Sequence, residues 1–537
     1  MNNQKLFLSI AIFLTIFLLW DKWQITKKVD ADGNVVHKSE ITLDTSAQNV
    51  DVPALNTQSP EIDLPTPSIT QKYGFTTVTT DLLTVEISHK GGTIQSALLN
   101  AFPVEIGSDD KFQLLSDNPS ALFQAQSGLA SRDNLLPTHL SDFNSVNTNY
   151  QLSADELVVP LTWQGKDNIQ VTKNFHFKRG SYVVGVDYQI TNNSNQAIPV
   201  KPYVRLSRHA IDQSNLMMPT FTGGIVYDKA THSVKKNDFE DWDEFGKQQE
   251  QGGWMAMVQQ YFMAAWIPNQ SQAQNFSASS SNEIYKLTNA NQQTSVAAKS
   301  SATLELNRLY VGPKEHDKIE SVAKGLNYTL DYGWLDILAD PLSWGIHKIN
   351  DFVGSWGWSI IIITLLIKLV FYPLSEKSYR SMAGMRKLAP RLAKLKETYG
   401  DDKQKMGQKT MELYRKEKIN PASGCLPIMV QIPVFIAFYW MLLDTVELRQ
   451  TAFWWLSDLS AMDPYYILPI IMGISMFVQQ KLNPPPPDPM QAKIMMALPL
   501  VFTVMFLWFP SGLVLYWVFN NVLSITQQYT INKRING

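Results

Sequence analysis

Lys368 sits in the apolar run 360–369, where Thr364 is the only other polar residue. A charge at bilayer depth costs about 2.5–3.5 kcal/mol on insertion scales, so it needs a reason to be there. Other apolar runs carry polar groups near the same end: Gln431 early in its run, Ser475 late in the next, and Asn520 and Asn521 near the last run's close. Polar side chains facing lipid would go unsatisfied. Their shared depth predicts that Lys368, Thr364, Gln431, Ser475, Asn520 and Asn521 converge around water. The chemistry on offer is solvation of something polar inside a bilayer, with no bond made or broken. Two blander readings stand beside it. Each amide is a common interhelical hydrogen-bond partner, and a lysine stem reaches an interface ~6–8 Å away at 1.5 Å per residue. The other half of the same runs, with Phe506, Trp508, Phe509, Tyr516 and Trp517, offers no such groups. The cavity therefore stops part-way, which disfavours a channel, and Trp508, Tyr516 and Trp517 are expected to form an aromatic rim on the outer side.

Conventional reactive constellations are missing from the sequence. One cysteine, Cys425, closes no intramolecular disulfide, the eight histidines form no HExxH spacing, and there is no GxxxxGK[ST] phosphate loop. No metal, cofactor or nucleotide is expected, and the chain is not read as an enzyme.

The elements that must position these residues follow from composition. Residues 23–359 carry 25 Lys+Arg against 36 Asp+Glu, a net of −11, which leaves +9 for the remainder of a chain whose total is −2. Two differently solvated parts have been joined. The apolar stretch in 1–23 reads as an uncleaved membrane anchor and 24–72 as a flexible tether. Over 73–340, β-branched and aromatic runs at 82–87, 156–163 and 181–191, punctuated by Gly91-Gly92, Gly165-Lys166-Asp167-Asn168 and Asn192-Asn193-Ser194-Asn195, predict an antiparallel β-sandwich. Residues 341–355 place Leu342, Ile346, Ile349 and Val353 at helical spacing, for a helix lying on a membrane surface or packed on the sandwich. Spans follow at 356–374, 425–443, 465–480, 494–509 and 512–526, which with the anchor makes six. Several fall short of the ~20 residues that a ~30 Å hydrocarbon core requires.

Loop charge orients them. Residues 375–424 hold 13 Lys+Arg and 6 Asp+Glu, whereas 444–464 hold one Arg and four acids. The first loop is cytoplasmic by the positive-inside rule, so both termini are inside, including the tail 527–537, and the sandwich is outside. The short loop 481–493 is then cytoplasmic too. Within 375–424, apolar residues at three- and four-residue spacing and a break at Gly400-Asp401-Asp402 predict a helical hairpin bent near Pro390. Its cations Arg380, Arg386, Lys387, Arg391 and Lys394 suit contact with a cytoplasmic partner.

Several stretches together resemble the YidC/Oxa/Alb family of membrane-protein insertases in its long Gram-negative form. They are Ser359-Ile360-Ile361-Ile362-Ile363-Thr364, Tyr372-Pro373-Leu374, Gly424-Cys425-Leu426-Pro427 with Gln431 and Pro433, Asp463-Pro464-Tyr465-Tyr466-Ile467-Leu468-Pro469, Trp508-Phe509-Pro510-Ser511-Gly512, and Gly253 to Phe262 in the β region. The resemblance implies a periplasmic β-supersandwich and a five-helix core enclosing a groove open to cytoplasm and lipid. It also implies nascent inner-membrane proteins as substrates, the Sec translocon and its accessory subunits as partners, and contact with the ribosome and signal-recognition machinery through the cytoplasmic loops. The family's groove cation falls on Lys368, where arginine is usual; lysine keeps the charge but not the fork of five donors. Ile432, Pro433, Met505 and Phe506 are implied as the slide along which a substrate helix leaves. A transporter would need paired broken helices in related halves, and an enzyme in the sandwich would need a nucleophile with a base; neither pattern is present in the sequence.

Overall fold

The computed structural model describes residues 74–211, 220–330, 332–399, 402–417, 426–483 and 489–536. The N-terminal anchor and the tether expected before residue 73, and Cys425, lie outside them.

Alternating burial along the β runs produces two sheets, eleven- and nine-stranded among the described residues. In strand Gln170–Lys178 every second residue is buried, so Val171, Lys173, Phe175 and Phe177 point inward. That strand pairs antiparallel with Glu156–Gln164 on one side and Val183–Asn192 on the other. The expected turn between the first two is present, with Asp167 and Asn168 at φ of 56° and 55°, a conformation these short polar side chains tolerate. Asn192 closes the next corner: its amide donates to the Gln196 and Ala297 carbonyls at 2.8 and 2.9 Å, while its Oδ1 accepts from Ser194.

An inward lysine demands compensation. Lys173 Nζ donates to the carbonyls of Gly91 at 2.9 Å and Gly92 at 2.7 Å, which belong to the facing sheet's Gly-Gly turn, and lies within 6.0 Å of the ring centres of Phe143, Phe175 and Tyr188. Burial pulls its pKa down to about 7. The glycines are required: at Gly91, with φ +70°, a Cβ would lie 2.1 Å from the His139 carbonyl oxygen.

Beyond the sandwich the period changes to helical. α1 (Asp336–Val353) leads into α2 (Trp356–Val370), α3 (Tyr372–Lys387), α4 (Ala389–Tyr399), α5 (Lys403–Lys416), α6 (Leu426–Asp444), α7 (Ile467–Leu482), α8 (Pro489–Met505) and α9 (Ser511–Asn536). The apolar face predicted for the first of these turns inward, with Ile346 fully buried, and packs against α2 and α6. Its opposite side still exposes Ile337, Trp344 and Phe352, the last at 94 %. The tail expected from residue 527 is instead the continuation of α9: Gln528 is buried and donates to the Leu482 carbonyl and Asn483 Oδ1 at 3.3 and 3.1 Å, which extends the helix to Asn536.

The helices after the sandwich combine an apolar exterior with a polar network set into a partly apolar interior. Large apolar side chains stand exposed along them, including Leu369, Ile432, Ile474, Leu500 and Val501, while Lys368, Asn520, Asn521, Ser524 and Gln528 are buried. In water that arrangement would be unfavourable; against hydrocarbon it is the expected one. Among the described residues no single helix is long and apolar enough to cross a membrane alone, whereas α2 and α3 together have the length and composition, with a bend of 66° between them. The break falls at Phe371, two residues before Pro373, whose ring nitrogen lacks the N–H that would continue the ladder.

The sandwich is fastened to the helices. Lys314 Nζ, at the end of the sheet's last strand, meets Asp444 Oδ1 at the end of α6 at 2.7 Å, both buried. Arg449 Nη2 and Gln450 Nε2 donate to the Pro103 carbonyl at 2.8 and 2.9 Å, and Gln260 Nε2 reaches the Leu443 carbonyl at 3.1 Å. Gln260 belongs to the Gly253–Phe262 motif, whose sequence is thereby accounted for in part by docking.

Asp463 organises the Asp-Pro-Tyr-Tyr stretch. It is 1 % exposed and accepts from Leu468 N at 2.7 Å, Tyr465 N at 3.0 Å and Trp455 Nε1 at 3.2 Å, capping the start of α7. Asp463→Ala strands three donors, and we expect a loss of about 2–4 kcal/mol, read as a lowered thermal midpoint in detergent. An unchanged midpoint would show that water replaces the carboxylate.

Among the described residues, 377–399 and 402–417 belong to a separate compact unit. Its helical chain breaks at Leu388, two residues before Pro390, as a proline requires. α4 and α5 pack together, with Arg391 Nη1 on Glu417 Oε1 at 2.6 Å, and Asp402 caps α5 through Lys405 N at 3.0 Å. Arg380, Arg386, Lys387, Arg391 and Lys394 are exposed.

Candidate functional site: a buried polar network in the helical bundle

The structure brings together most of the residues singled out by depth. Lys368 is 7 % exposed, and its Nζ donates to Ser524 Oγ at 2.7 Å and lies 3.5 Å from Gln431 Oε1. Gln431 Nε2 donates in turn to Asn520 Oδ1, and Ser524 Oγ donates to the Asn520 carbonyl at 2.7 Å. A second link joins Asn521 Nδ2 to Ser475 Oγ at 3.0 Å. α2, α6, α7 and α9 each contribute. Thr364 lies on the same buried face of α2, but its hydroxyl returns to the Ile360 carbonyl at 2.6 Å and joins neither link.

One detail differs from the sequence reading: the lysine's nearest partner, Ser524, is not among the residues expected there. Its signal was available: Ser524 and Gln528 follow Asn520 by four and eight residues, which places all three on one stripe of α9. A serine is unremarkable in an apolar helix, whereas two adjacent asparagines are not. Both partners of the ammonium among the described residues are neutral, so the charge is solvated without being cancelled.

The residues implied as a slide separate. Ile432 is 51 % exposed and Pro433 and Met505 are half-buried, but Phe506 is buried at 2 % among Phe502, Phe509 and Trp517. Of the aromatic rim, Trp508 is exposed, Trp517 half-buried, and Tyr516 sits inside, 4.6 Å from the Phe438 ring centre. Tyr516 follows Gly512 by four residues, and the turn before it is tied to the loop by Gly512 N on the Leu459 carbonyl at 2.8 Å, which rolls this face inward.

An apolar-faced bundle around a solvated cation, joined to a water-soluble sandwich, defines a membrane protein with a large extramembrane domain. The comparisons are specific. Residues 348–537 match the 60Kd inner membrane protein family and residues 76–345 match the YidC periplasmic domain. The membrane protein insertase YidC of Vesicomyosocius okutanii is 59 % identical over the whole of both chains, and that of Methylobacillus flagellatus is 44 % identical over 99 % of this chain and 97 % of its own. A crystal structure of active YidC insertase is similar at 18 % identity over 86 % of this chain and 93 % of that one, with a TM-score of 0.41. The chain belongs to the YidC family of membrane protein insertases. The family is not one of enzymes.

Proposed function

We propose that the chain inserts and helps fold nascent inner-membrane proteins, and that the Lys368–Ser524–Asn520–Gln431 network, with Ser475 and Asn521, is the floor of a groove open to cytoplasm and lipid. The observation that carries this is a buried ammonium within the helical bundle whose partners among the described residues are neutral hydrogen-bonding groups. Such a site attracts acidic or polar segments in transit, because no fixed anion among the described residues competes for the charge. The bonds that occupy the network at rest are ones a substrate's carbonyls, carboxylates or accompanying water can replace.

Solvation supplies the drive. α2 is 15 residues long, or ~22 Å at 1.5 Å per residue, against a ~30 Å hydrocarbon core. A short bundle thins the bilayer around it, and a wet recess within one leaflet shortens the dry path further. Transfer of the substrate's apolar helix into lipid then releases roughly 25 cal/mol per Å² of apolar area, without nucleotide hydrolysis. The exposed Ile432, with Pro433 and Met505, lies along the exit path, and buried Phe506 backs it.

In this reading the chain has six spans including the N-terminal anchor, with both termini cytoplasmic and the sandwich in the periplasm, as the loop charges favour. Arg380, Arg386, Lys387, Arg391 and Lys394 of the separate compact unit meet the ribosome and signal-recognition machinery, and the chain works alone or with the Sec translocon.

The test is a depletion strain complemented with variants. Lys368→Arg retains insertion, whereas Lys368→Glu lowers insertion of substrates with acidic translocated tails by about tenfold, equivalent to ~1.4 kcal/mol, with Lys368→Ala between them. Photocrosslinkers at Ile432 and Met505 should capture a stalled nascent membrane protein. Full insertion by Lys368→Ala would remove the cation from the mechanism.

A further inference from the structure

A cavity of about 330 Å³ opens between the two sheets of the sandwich, far in sequence from the helical network. Its walls include Asn269, Gln272, Asn291, Gln292, Thr303 and Asn307, and among the described residues no Asp, Glu, Lys, Arg or His lines it. That is unexpected for a region of net −11. Whatever such a lining recognises is neutral and rich in groups that both donate and accept hydrogen bonds.

The lining is built rather than incidental. Behind it Gln274 and Asn289 are completely buried. Gln274 Nε2 donates to the Asn269 and Gln272 carbonyls at 2.8 and 3.2 Å, pinning the 269–272 turn, and its Oε1 accepts from Asn289 Nδ2 at 2.8 Å. Asn289 Nδ2 also reaches Asn291 Oδ1 at 3.2 Å, which commits that oxygen and leaves the Asn291 amide hydrogens for the cavity. Buried amides spent on orienting other amides are how a polar recognition site is preorganised. Asn307 supplies the most direct sign of a ligand. It is 4 % exposed, lines the cavity, and its side chain makes no hydrogen bond to a described residue. It stands at an irregularity of the ladder, where the register shifts between Val186 and Tyr188, and such bulges re-aim side chains.

We propose that this cavity binds a neutral saccharide of one or two rings. Side-chain amides pair two-pronged with vicinal hydroxyls, each of which donates and accepts, and the volume lies at the small end of ligand pockets. A peptide strand is the competing occupant, since it binds by extending a sheet edge and the 300–307 part of the wall strand Ser300–Pro313 is paired with Val183–Asn192 alone, its other neighbour Phe262–Ile267 reaching only Arg308–Pro313. What favours the sugar is that the polarity of the lining lies in side-chain amides rather than in a backbone ladder.

The test uses the full-length protein in a detergent without a sugar headgroup, with methyl glucoside, methyl galactoside and maltose as probes in saturation-transfer NMR. We expect saturable transfer from at least one probe, at least tenfold weaker binding in Asn307→Leu, and weaker binding of glucuronate than of the neutral sugars. Gln292→Leu, on an exposed residue that the fold does not use, should weaken binding even if Asn307→Leu fails to fold. Absence of transfer into the tens of millimolar, equal binding by both variants, or displacement of the sugar by a neutral Gly-Ser peptide would each overturn the proposal.

Discussion

Lys314→Met, or Asp444→Leu, should lower the stability of the full-length protein by about 3–5 kcal/mol, because either change leaves one charge of a buried pair without its partner. Lys314 and Asp444 meet at 2.7 Å with side chains 2 % and 8 % exposed. Among the described residues the ammonium's other acceptor is the Thr329 carbonyl at 3.4 Å, too long to compensate. The double variant should recover most of the loss, since replacing both ions by apolar groups of similar volume removes the desolvation cost along with the attraction. Thermal midpoints in detergent for the four members of the cycle give the coupling directly. Single variants within about 1 kcal/mol of the parent would show that water enters the junction. Insertion activity of the double variant then tells whether the sandwich must be held on the end of α6 or merely sits there.

The second large effect is a pH dependence carried by Lys173. Its folded-state pKa is depressed to about 7, against an unfolded value near 10.5. Below pH 7 the ammonium is charged in both states, so the cost of burying it is fully present and the sandwich is least stable. Between pH 7 and 10 the unfolded chain binds the extra proton, so stability rises with pH, by at most ~1.4 kcal/mol per unit. Above pH 10 the trend reverses, because Tyr182, Tyr188 and Tyr310 are held above the usual phenol range by burial, and the unfolded chain loses their protons first. Lys173→Met should abolish the rise between pH 7 and 10. It also deprives the Gly91 and Gly92 carbonyls of their donor, at about 1–3 kcal/mol each, so the variant is less stable at pH 9 by several kcal/mol. Urea unfolding followed by tryptophan fluorescence across that range measures both effects. A parent protein whose stability is flat from pH 7 to 10 would mean that the three rings and the carbonyls keep the ammonium charged.

These residues also show what a sequence discloses. Lys368, Gln431 and Asn520 were legible because polar groups are rare in apolar runs, and that rarity carries information. Ser524 was not, since serine raises no contrast there. Lys173 was overlooked although Val171, Phe175 and Phe177 share its parity along the strand; a lysine among inward aromatics is read as a surface residue until its carbonyl partners, some eighty positions away, are known. Lys314 and Asp444 are separated by 130 positions in charge-rich segments, where no local pattern distinguishes a buried ion from a solvated one. The strands were visible through their alternation and punctuation. The inward roll of Tyr516 and Phe506 was hidden because aromatic residues serve rims and interiors equally well.

The apolar exterior of the helical part bears on how this molecule comes into being. A segment that leaves so many oily side chains outward while holding a lysine and several amides inside is poorly suited to assembling in water, where collapse would bury the exposed apolar surface instead. Its sandwich needs only an aqueous compartment, yet the chain between must first be threaded through lipid. A machine that delivers others to the bilayer therefore depends on prior delivery of itself, either by an older copy already in place or by a different route. Cells emptied of every copy should recover slowly, with newly made chains stalling before their helices mature.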